Sequence, residues 1–310
     1  MTFAIFGSGF GLYGYLPALI GCGQHVVLPE RYRERFLTRT ELVRFSGDIE
    51  WATDEAAALA RADGVVVALR PGDQAAWLPR CVTQPQLARL MLEKPLAQTP
   101  DEALRLQKLL RDSGKSFRIG YTFCGTPWAA DIREFVAQDQ GGLLAIDWQF
   151  MAHHYRHDLP NWKRSHPEGG GAIRFYGIQL IAVLAELGYR EVAESHSFGP
   201  SEQEIMRWTA TVAGKGLPDC RIVVDCRSDV TEFVIQAQSP RGPQKRRFGN
   251  RDPFGDDARM ATPNALDSRV GLLQGLINPL LHPGSGGPAW YDDVLLLWQN
   301  IEARSTFSLA

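Results

Sequence analysis

Directly after the apolar run Phe3-Ala4-Ile5-Phe6 the chain reads Gly7-Ser8-Gly9-Phe10-Gly11-Leu12-Tyr13-Gly14, and an apolar helical stretch from Leu16 to Ile20 follows. A strand, a glycine-dense turn and a helix in that order restrict the chain more than any other feature. Glycines lack Cβ, so the backbone can turn tightly and approach a pyrophosphate, whose charge then rests on free N–H groups at the helix N-terminus. The expected element is the first βα unit of a dinucleotide-binding sheet, with Gly7, Gly9, Phe10 and Gly11 as candidate cofactor contacts. Leu12 stands where the third glycine of GxGxxG would be. Roughly twenty residues on, at the end of the second strand, Glu30 is the candidate ribose-binding acid. Arg31 and Arg33 lie beside it. A carboxylate there would bind the two ribose hydroxyls of NAD, whereas guanidinium groups would bind the added phosphate of NADP, and both readings stay open.

Residues 26–28, 65–69 and 90–92 repeat the short buried run, separated by helix-length segments such as 53–62. Runs without polar alternation are what a parallel sheet covered on both faces requires. Leu69 and Arg70, where one run closes, join the candidate cofactor contacts. Thr99-Pro100-Asp101-Glu102 starts a helix that should reach Asp112, since Thr99 can cap, Pro100 fits the first turn and the acids suit the positive dipole end. A further strand is expected over 116–121. At roughly 150 residues per domain, 310 residues suggest two. The sequence changes character near 120, which gives a dinucleotide-binding domain over 1–120 and a substrate-binding and oligomerisation domain over 121–310. In the second, residues 143–151, 191–198, 205–212, 220–225 and 232–238 read as strands, and 128–136, 172–187 and 292–303 as helices. The expected class is α/β, a Rossmann domain, followed by an α+β domain with a largely antiparallel open sheet.

With 33 basic against 35 acidic residues the chain lacks the excess positive charge that nonspecific nucleic-acid binding needs. The basic cluster Lys245-Arg246-Arg247 reads as a solvated loop. Five cysteines, Cys22, Cys81, Cys124, Cys220 and Cys226, form no CxxC, and an odd number cannot all pair, so reduced thiols in a cytoplasmic setting are expected. No apolar run approaches the ~20 residues of a membrane span, and no charged n-region precedes the first strand. A cytoplasmic protein without a membrane partner is expected. Gly114-Lys115-Ser116 resembles the tail of a phosphate-binding loop, but Leu109 occupies its first glycine position and the order of helix and strand is reversed. Neither GxSxG nor HExxH occurs, and no metal site is expected.

Glu93-Lys94-Pro95 follows Leu90-Met91-Leu92, which places a charged pair at the carboxyl end of a buried strand, where open α/β sheets bind ligands. With the glycine turn, Leu16-Pro17-Ala18-Leu19, Leu92-Glu93-Lys94-Pro95-Leu96, Gly120-Tyr121 and Gly169-Gly170-Gly171-Ala172-Ile173, the chain resembles the Gfo/Idh/MocA family, relatives of glucose–fructose oxidoreductase and inositol dehydrogenase. The resemblance implies a nicotinamide cofactor, NAD or NADP, hydride exchange with a sugar, cyclic polyol or related small molecule, and a homo-oligomer, often a dimer through the open sheet. An apolar open face would account for that assembly. Lys94 matches the family lysine that lies near substrate and nicotinamide, and Glu93 joins it as a cofactor contact.

The family pattern also places an aspartate and, four residues later, a proton-transferring histidine on the helix after the triple glycine. Here Phe175 and Gln179 occupy those positions, and a further family aspartate is Ala182. An amide can orient a substrate but cannot shuttle its proton. The candidate replacements are Lys94, His154, His166 and Tyr176, with Gln179 and Trp162 as substrate contacts; histidine has an unperturbed pKa of about 6.5, suited to acid–base work. The expectation is an NAD(P)-dependent oxidoreductase with an atypical proton donor. A catalytically retired binding protein of the same fold, or a reductase of imines or conjugated double bonds, are the alternatives.

Overall fold

Val65, Val66 and Val67, with Leu90, Met91, Leu92 and Phe3 to Phe6, have no exposed surface, and strands buried on both faces pair in parallel. The computed structural model describes residues 1–138, 142–238, 252–254, 264–282 and 286–310, and the backbone of 245–248. Strands β1 (Thr2–Phe6), β2 (His25–Pro29), β3 (Ile49–Ala52), β4 (Gly64–Val67), β5 (Arg89–Leu92) and β6 (Ser116–Ile119) form one sheet in the order β3-β2-β1-β4-β5-β6. All of its pairings are parallel. This is the Rossmann arrangement, and its strand order reverses between β1 and β4, where such sheets open a ligand crevice.

The chain divides into two compact units, Met1–Leu96 with Arg105–Thr122 and Asp257–Pro288, and Ala97–Leu104 with Phe123–Asp256 and Ala289–Ala310. The first unit thus includes the helix Val270–Leu281 from far down the chain. Leu273, Ile277 and Leu280 of that helix share a core with Leu12, Leu16 and Leu19. Arg89 donates to the carbonyls of Leu280 and Leu281 at 3.1 and 3.2 Å and so covers acceptors left open at the helix end.

The second unit holds β7 (Leu143–Met151), β8 (Glu191–Gly199), β9 (Arg207–Ala213), β10 (Asp219–Asp225), β11 (Arg227–Gln238), β12 (Lys245–Phe248) and β13 (Ser305–Leu309), ordered β12-β11-β7-β10-β9-β8-β13. Pairings are antiparallel except β7 with β10 and β8 with β13, so the sheet is largely antiparallel but mixed. The basic cluster, read above as a loop, is strand β12, with Lys245 opposite Gln238 and Phe248 opposite Ile235. A charged sequence is compatible with this place because charge on an edge strand discourages further pairing.

Alternate residues of the sheet, among them Leu144, Ile146, Trp148, Trp208, Ile222 and Val224, are buried. The helical turn Ala172–Gly177 packs on β9 and β10. The opposite face is not apolar as expected. Across it run Glu232, Gln149, Asp225 and Arg207 in register, and beside them Val234, Asp147, Val223 and Thr209. A face of this composition can meet water without a covering partner. Among the described residues no helix is long and apolar enough to cross a membrane, and all five cysteines are unpaired.

Residues 172–187 were expected as one helix. They form a wide π-type turn, Ala172–Gly177, that passes into the α-helix Ile178–Leu187. The turn carries Arg174, 8% exposed, whose guanidinium grips Glu302 of the helix Trp290–Arg304 with two bonds of 2.7 Å. Trp298 Nε1 donates to the same carboxylate at 2.7 Å. Breaking one side of a buried pair leaves the other charge uncompensated, at a cost of about 3 kcal/mol. Glu302→Gln should lower the denaturant midpoint accordingly, followed by tryptophan fluorescence, while a substitution at the exposed Glu202 should not.

Candidate functional site

The glycine turn divides its labour. Gly7 has φ +121°, and a Cβ there would lie 2.1 Å from the Ala68 carbonyl oxygen, so only glycine fits. A Cβ on Gly11 would meet Ile5 Cγ2 at 2.9 Å. Gly9 differs, because a Cβ there would have nothing within 4 Å. The first and third glycines serve the fold, and the middle one keeps open the space a pyrophosphate would enter. Leu12, at the position of the missing fingerprint glycine, is wholly buried in the core. Gly14 supplies the close approach instead, since its Cβ would strike the Phe10 ring at 2.3 Å. Above that ring, at 4.2 Å from its centre, lies the guanidinium of Arg269. Burial works against this charge, but two bonds of 2.7 Å to Asp267 raise its pKa above the ordinary value. Nothing in the sequence pattern pointed to Arg269.

At the carboxyl end of β5, Glu93 Oε1 accepts from the Tyr15 hydroxyl at 2.6 Å. Burial pushes this carboxyl up, against the pull of Lys94, Tyr15 and Arg269. Gly120 is required beside the pair, because a Cβ would stand 2.8 Å from Tyr15 Oη and 2.9 Å from Glu93 Oε1. The turn bearing Lys94 is held by Gln74, a fully buried side chain of the helix Pro71–Val82. Its Oε1 accepts from Glu93 N at 2.9 Å, and its Nε2 donates to the carbonyls of Glu93, Pro95 and Leu96 at 2.8, 3.3 and 3.1 Å. Gln74 was not singled out in the sequence, where it looks like one polar residue of a surface helix. Leu69 is half-buried and Arg70 exposed; Arg70 is the extended residue from which Pro71–Val82 starts.

At the end of β2, Glu30 and Arg31 part company. Glu30 is gripped by Arg33 through bonds of 2.5 and 3.0 Å, and Arg33 lies over the Trp51 ring at 4.5 Å. Arg31 pairs with Glu55 and donates to Tyr32 Oη at 3.3 Å. That hydroxyl also accepts the N–H of Gly7 at 3.1 Å.

In the second unit three of the candidates come together. The His154 and Tyr176 rings are near parallel with centroids 6.2 Å apart, and Tyr176 meets Phe150 and Phe175 at 4.8 Å each. Trp162 reaches the group edge-on to Phe175 at 5.2 Å. Tyr176 lies in the π-type turn, where successive residues advance by less than the α-helical 100°. His166 belongs to another cluster. Its Nε2 is 4.0 Å from Glu302 Oε1, and with Arg174, Thr99, Ser197 and Gln203 it borders a cavity of about 450 Å³. Gln179 is buried, and its Oε1 accepts from the Phe123 backbone N–H at 3.2 Å.

Both imidazoles are neutral at pH 7. Burial, reinforced by Lys163 and Arg164, pushes His154 down to about 4. Burial and then Arg174 bring His166 to about 4 as well. An unfolded histidine titrates near 6.5, so below that pH the unfolded chain takes up protons that the folded chain refuses until about pH 4. The sign is a loss of stability on acidification. Urea midpoints should therefore fall between pH 6.5 and 4, and His154→Phe should flatten part of that slope.

A six-stranded doubly wound sheet with a glycine turn at its switch point, in one chain with a mixed-sheet unit, defines a Rossmann-fold protein with an α+β companion unit. No protein-family model and no curated protein matches the sequence. Solved structures share its architecture. D-galactose-1-dehydrogenase from Rhizobium etli is 15% identical with a TM-score of 0.74, over 100% of this chain and 96% of that one. The WlbA dehydrogenase from Bordetella pertussis, solved with NADH and UDP-GlcNAcA, is 14% identical at 0.73, over 98% and 95%. KijD10, a 3-ketoreductase from Actinomadura kijaniata solved with NADP and TDP-benzene, is 16% identical at 0.69, over 100% and 99%. At such identity the likeness establishes the fold.

Proposed function

We propose that this protein is an NAD(P)-dependent oxidoreductase of the Gfo/Idh/MocA type, exchanging hydride with a small polar substrate such as a sugar, a cyclic polyol or a derivative. The observation that carries the reading is the open space over Gly9, in a turn whose other glycines are taken up by packing. The similar folds support it, since those proteins are two dehydrogenases and a ketoreductase, the WlbA dehydrogenase crystallised with NADH and the ketoreductase with NADP. Nicotinamide, when bound, supplies the hydride acceptor or donor. The chain's residues do the remaining work. Backbone N–H groups of the Gly7 to Gly11 turn hold the pyrophosphate, with Leu69 and Arg70 alongside. Lys94, placed by the backbone that Gln74 clamps, holds or moves the proton at the substrate oxygen through Nζ. His154 and His166, neutral while buried, are not acids at neutral pH. Gln179, engaged by Phe123 N–H, contributes orientation at most.

The retired-enzyme reading draws on the same replacements, Phe175 and Gln179, and an imine or conjugated double bond would need no histidine, so both belong in the substrate panel. Assembly into a dimer rests on the family resemblance alone, because the open sheet face is polar. Gly9→Val should fold normally, as a Cβ there meets nothing within 4 Å, yet block NAD(H) and NADP(H) in a fluorescence titration; equal binding by the variant would sink the turn as the cofactor site.

Lys94→Met should cut turnover by roughly 10²–10⁴ fold, the usual weight of a general acid–base group, with a far smaller change in dinucleotide affinity. The assay follows NAD(P)H absorbance with keto-sugars, inosose-like ketones and cyclic imines. Dinucleotide binding without turnover of any of them would favour the retired enzyme.

A further inference from the structure

Resting on the reading that the glycine turn holds a nicotinamide dinucleotide, we infer that this protein selects NADP over NAD, and that Arg31 receives the phosphate on the adenosine ribose. In a Rossmann sheet that ribose lies at the end of the second strand, beside the first glycine of the turn. Here the Gly7 N–H donates to Tyr32 Oη at 3.1 Å and Arg31 Nη2 donates to the same oxygen at 3.3 Å. One hydroxyl therefore separates the Arg31 guanidinium from the turn.

The carboxylates that could serve a ribose diol are both committed. Glu30 is held in the fork of Arg33, which itself lies on Trp51 of β3. Glu55 Oε1 accepts from Arg31 Nε and from Tyr32 Oη, and its side chain is only 15% exposed. Arg31 is 63% exposed. Of the five guanidinium donors, Glu55 and Tyr32 engage those on Nε and Nη2, which leaves the Nη1 pair toward water. A phosphate dianion takes such donors with charge-assisted bonds in a planar fork, a match that a neutral diol lacks. Glu55 tempers the site, since its negative charge opposes the phosphate while it orders Arg31.

The test is titration of the full chain with NADPH and with NADH, followed by protein fluorescence at fixed salt. NADPH should bind about tenfold tighter or more, the weight of one or two charge-assisted bonds. Arg31→Ala should lower NADPH affinity by about that factor with a much smaller change for NADH, and Glu55→Gln should strengthen NADPH. Because Arg31→Ala leaves the 15%-exposed Glu55 without its cation, the titration is repeated with Arg31→Ala/Glu55→Gln, whose thermal melt should match that of the unaltered protein. Equal or tighter binding of NADH, or Arg31→Ala weakening both dinucleotides alike, overturns the inference while leaving the oxidoreductase reading in place. Failure of both dinucleotides to bind overturns that reading and this one with it.

Discussion

The oxygen of Ala68 occupies the space in which any side chain at residue 7 would begin. This contact governs the first unit. Ala68 N donates to Phe6 O at 2.7 Å, so β1 and β4 are bonded up to their last residues, and the chain leaving β1 must turn away at once through a positive φ. It does so into the wide helical turn Gly11–Tyr15. The α-helix Leu16–Gly21 continues directly from that turn, which leaves β1 at the switch point of the sheet. From the same turn one N–H goes to Tyr32 at the end of β2, and the Tyr15 hydroxyl goes to Glu93 at the end of β5. Three strand ends are tied through residues 7 to 15, which is why a packing constraint on a single glycine sets the geometry around the proposed dinucleotide site.

The buried runs and the first glycine turn were legible in the sequence because each is a local signal. The strands near 26–28, 90–92 and 143–151 follow from unbroken or alternating apolar residues, and Thr99-Pro100 marked the start of Pro100–Asp112. Edge strands left weaker traces. Ile49-Glu50-Trp51-Ala52 is short and interrupted by a charge, and Ser305-Thr306-Phe307-Ser308-Leu309 has no buried residue, so neither reads as a core strand, and the pairing of β3 with β2 and of β13 with β8 is what makes them strands. The return of Val270–Leu281 to the first unit depends on a surface completed by Leu12, Leu16 and Leu19. No window of sequence contains both partners.

Site residues were legible where backbone geometry chose them and obscure where packing did. Glycine identity at 7 and 11 reports a steric demand, and the demand is visible in the structure as a clash that any Cβ would cause. Gln74 and Arg269, by contrast, act through partners that only the folded chain supplies: three carbonyls of the Lys94 turn for one, and the Phe10 ring with Asp267 for the other. Histidine was a reasonable choice for proton transfer on its unperturbed pKa alone. The interior reverses that argument, because an imidazole without a nearby carboxylate strong enough to hold its charge is driven neutral by burial.

The glutamine at 179 occupies a position where an imidazole would conflict with the backbone. Its oxygen receives the Phe123 N–H at 3.2 Å, in a buried setting where an unpaired backbone donor is costly. An imidazole could accept that bond only while neutral, and on protonation both ring nitrogens become donors, leaving the Phe123 N–H facing another N–H. A proton-shuttling residue would therefore break a structural bond in half of its cycle. An amide keeps its acceptor at every pH. The position is given over to holding the start of the second unit, whereas the turn that carries Lys94, the proton donor proposed above, has its backbone secured by the Gln74 clamp.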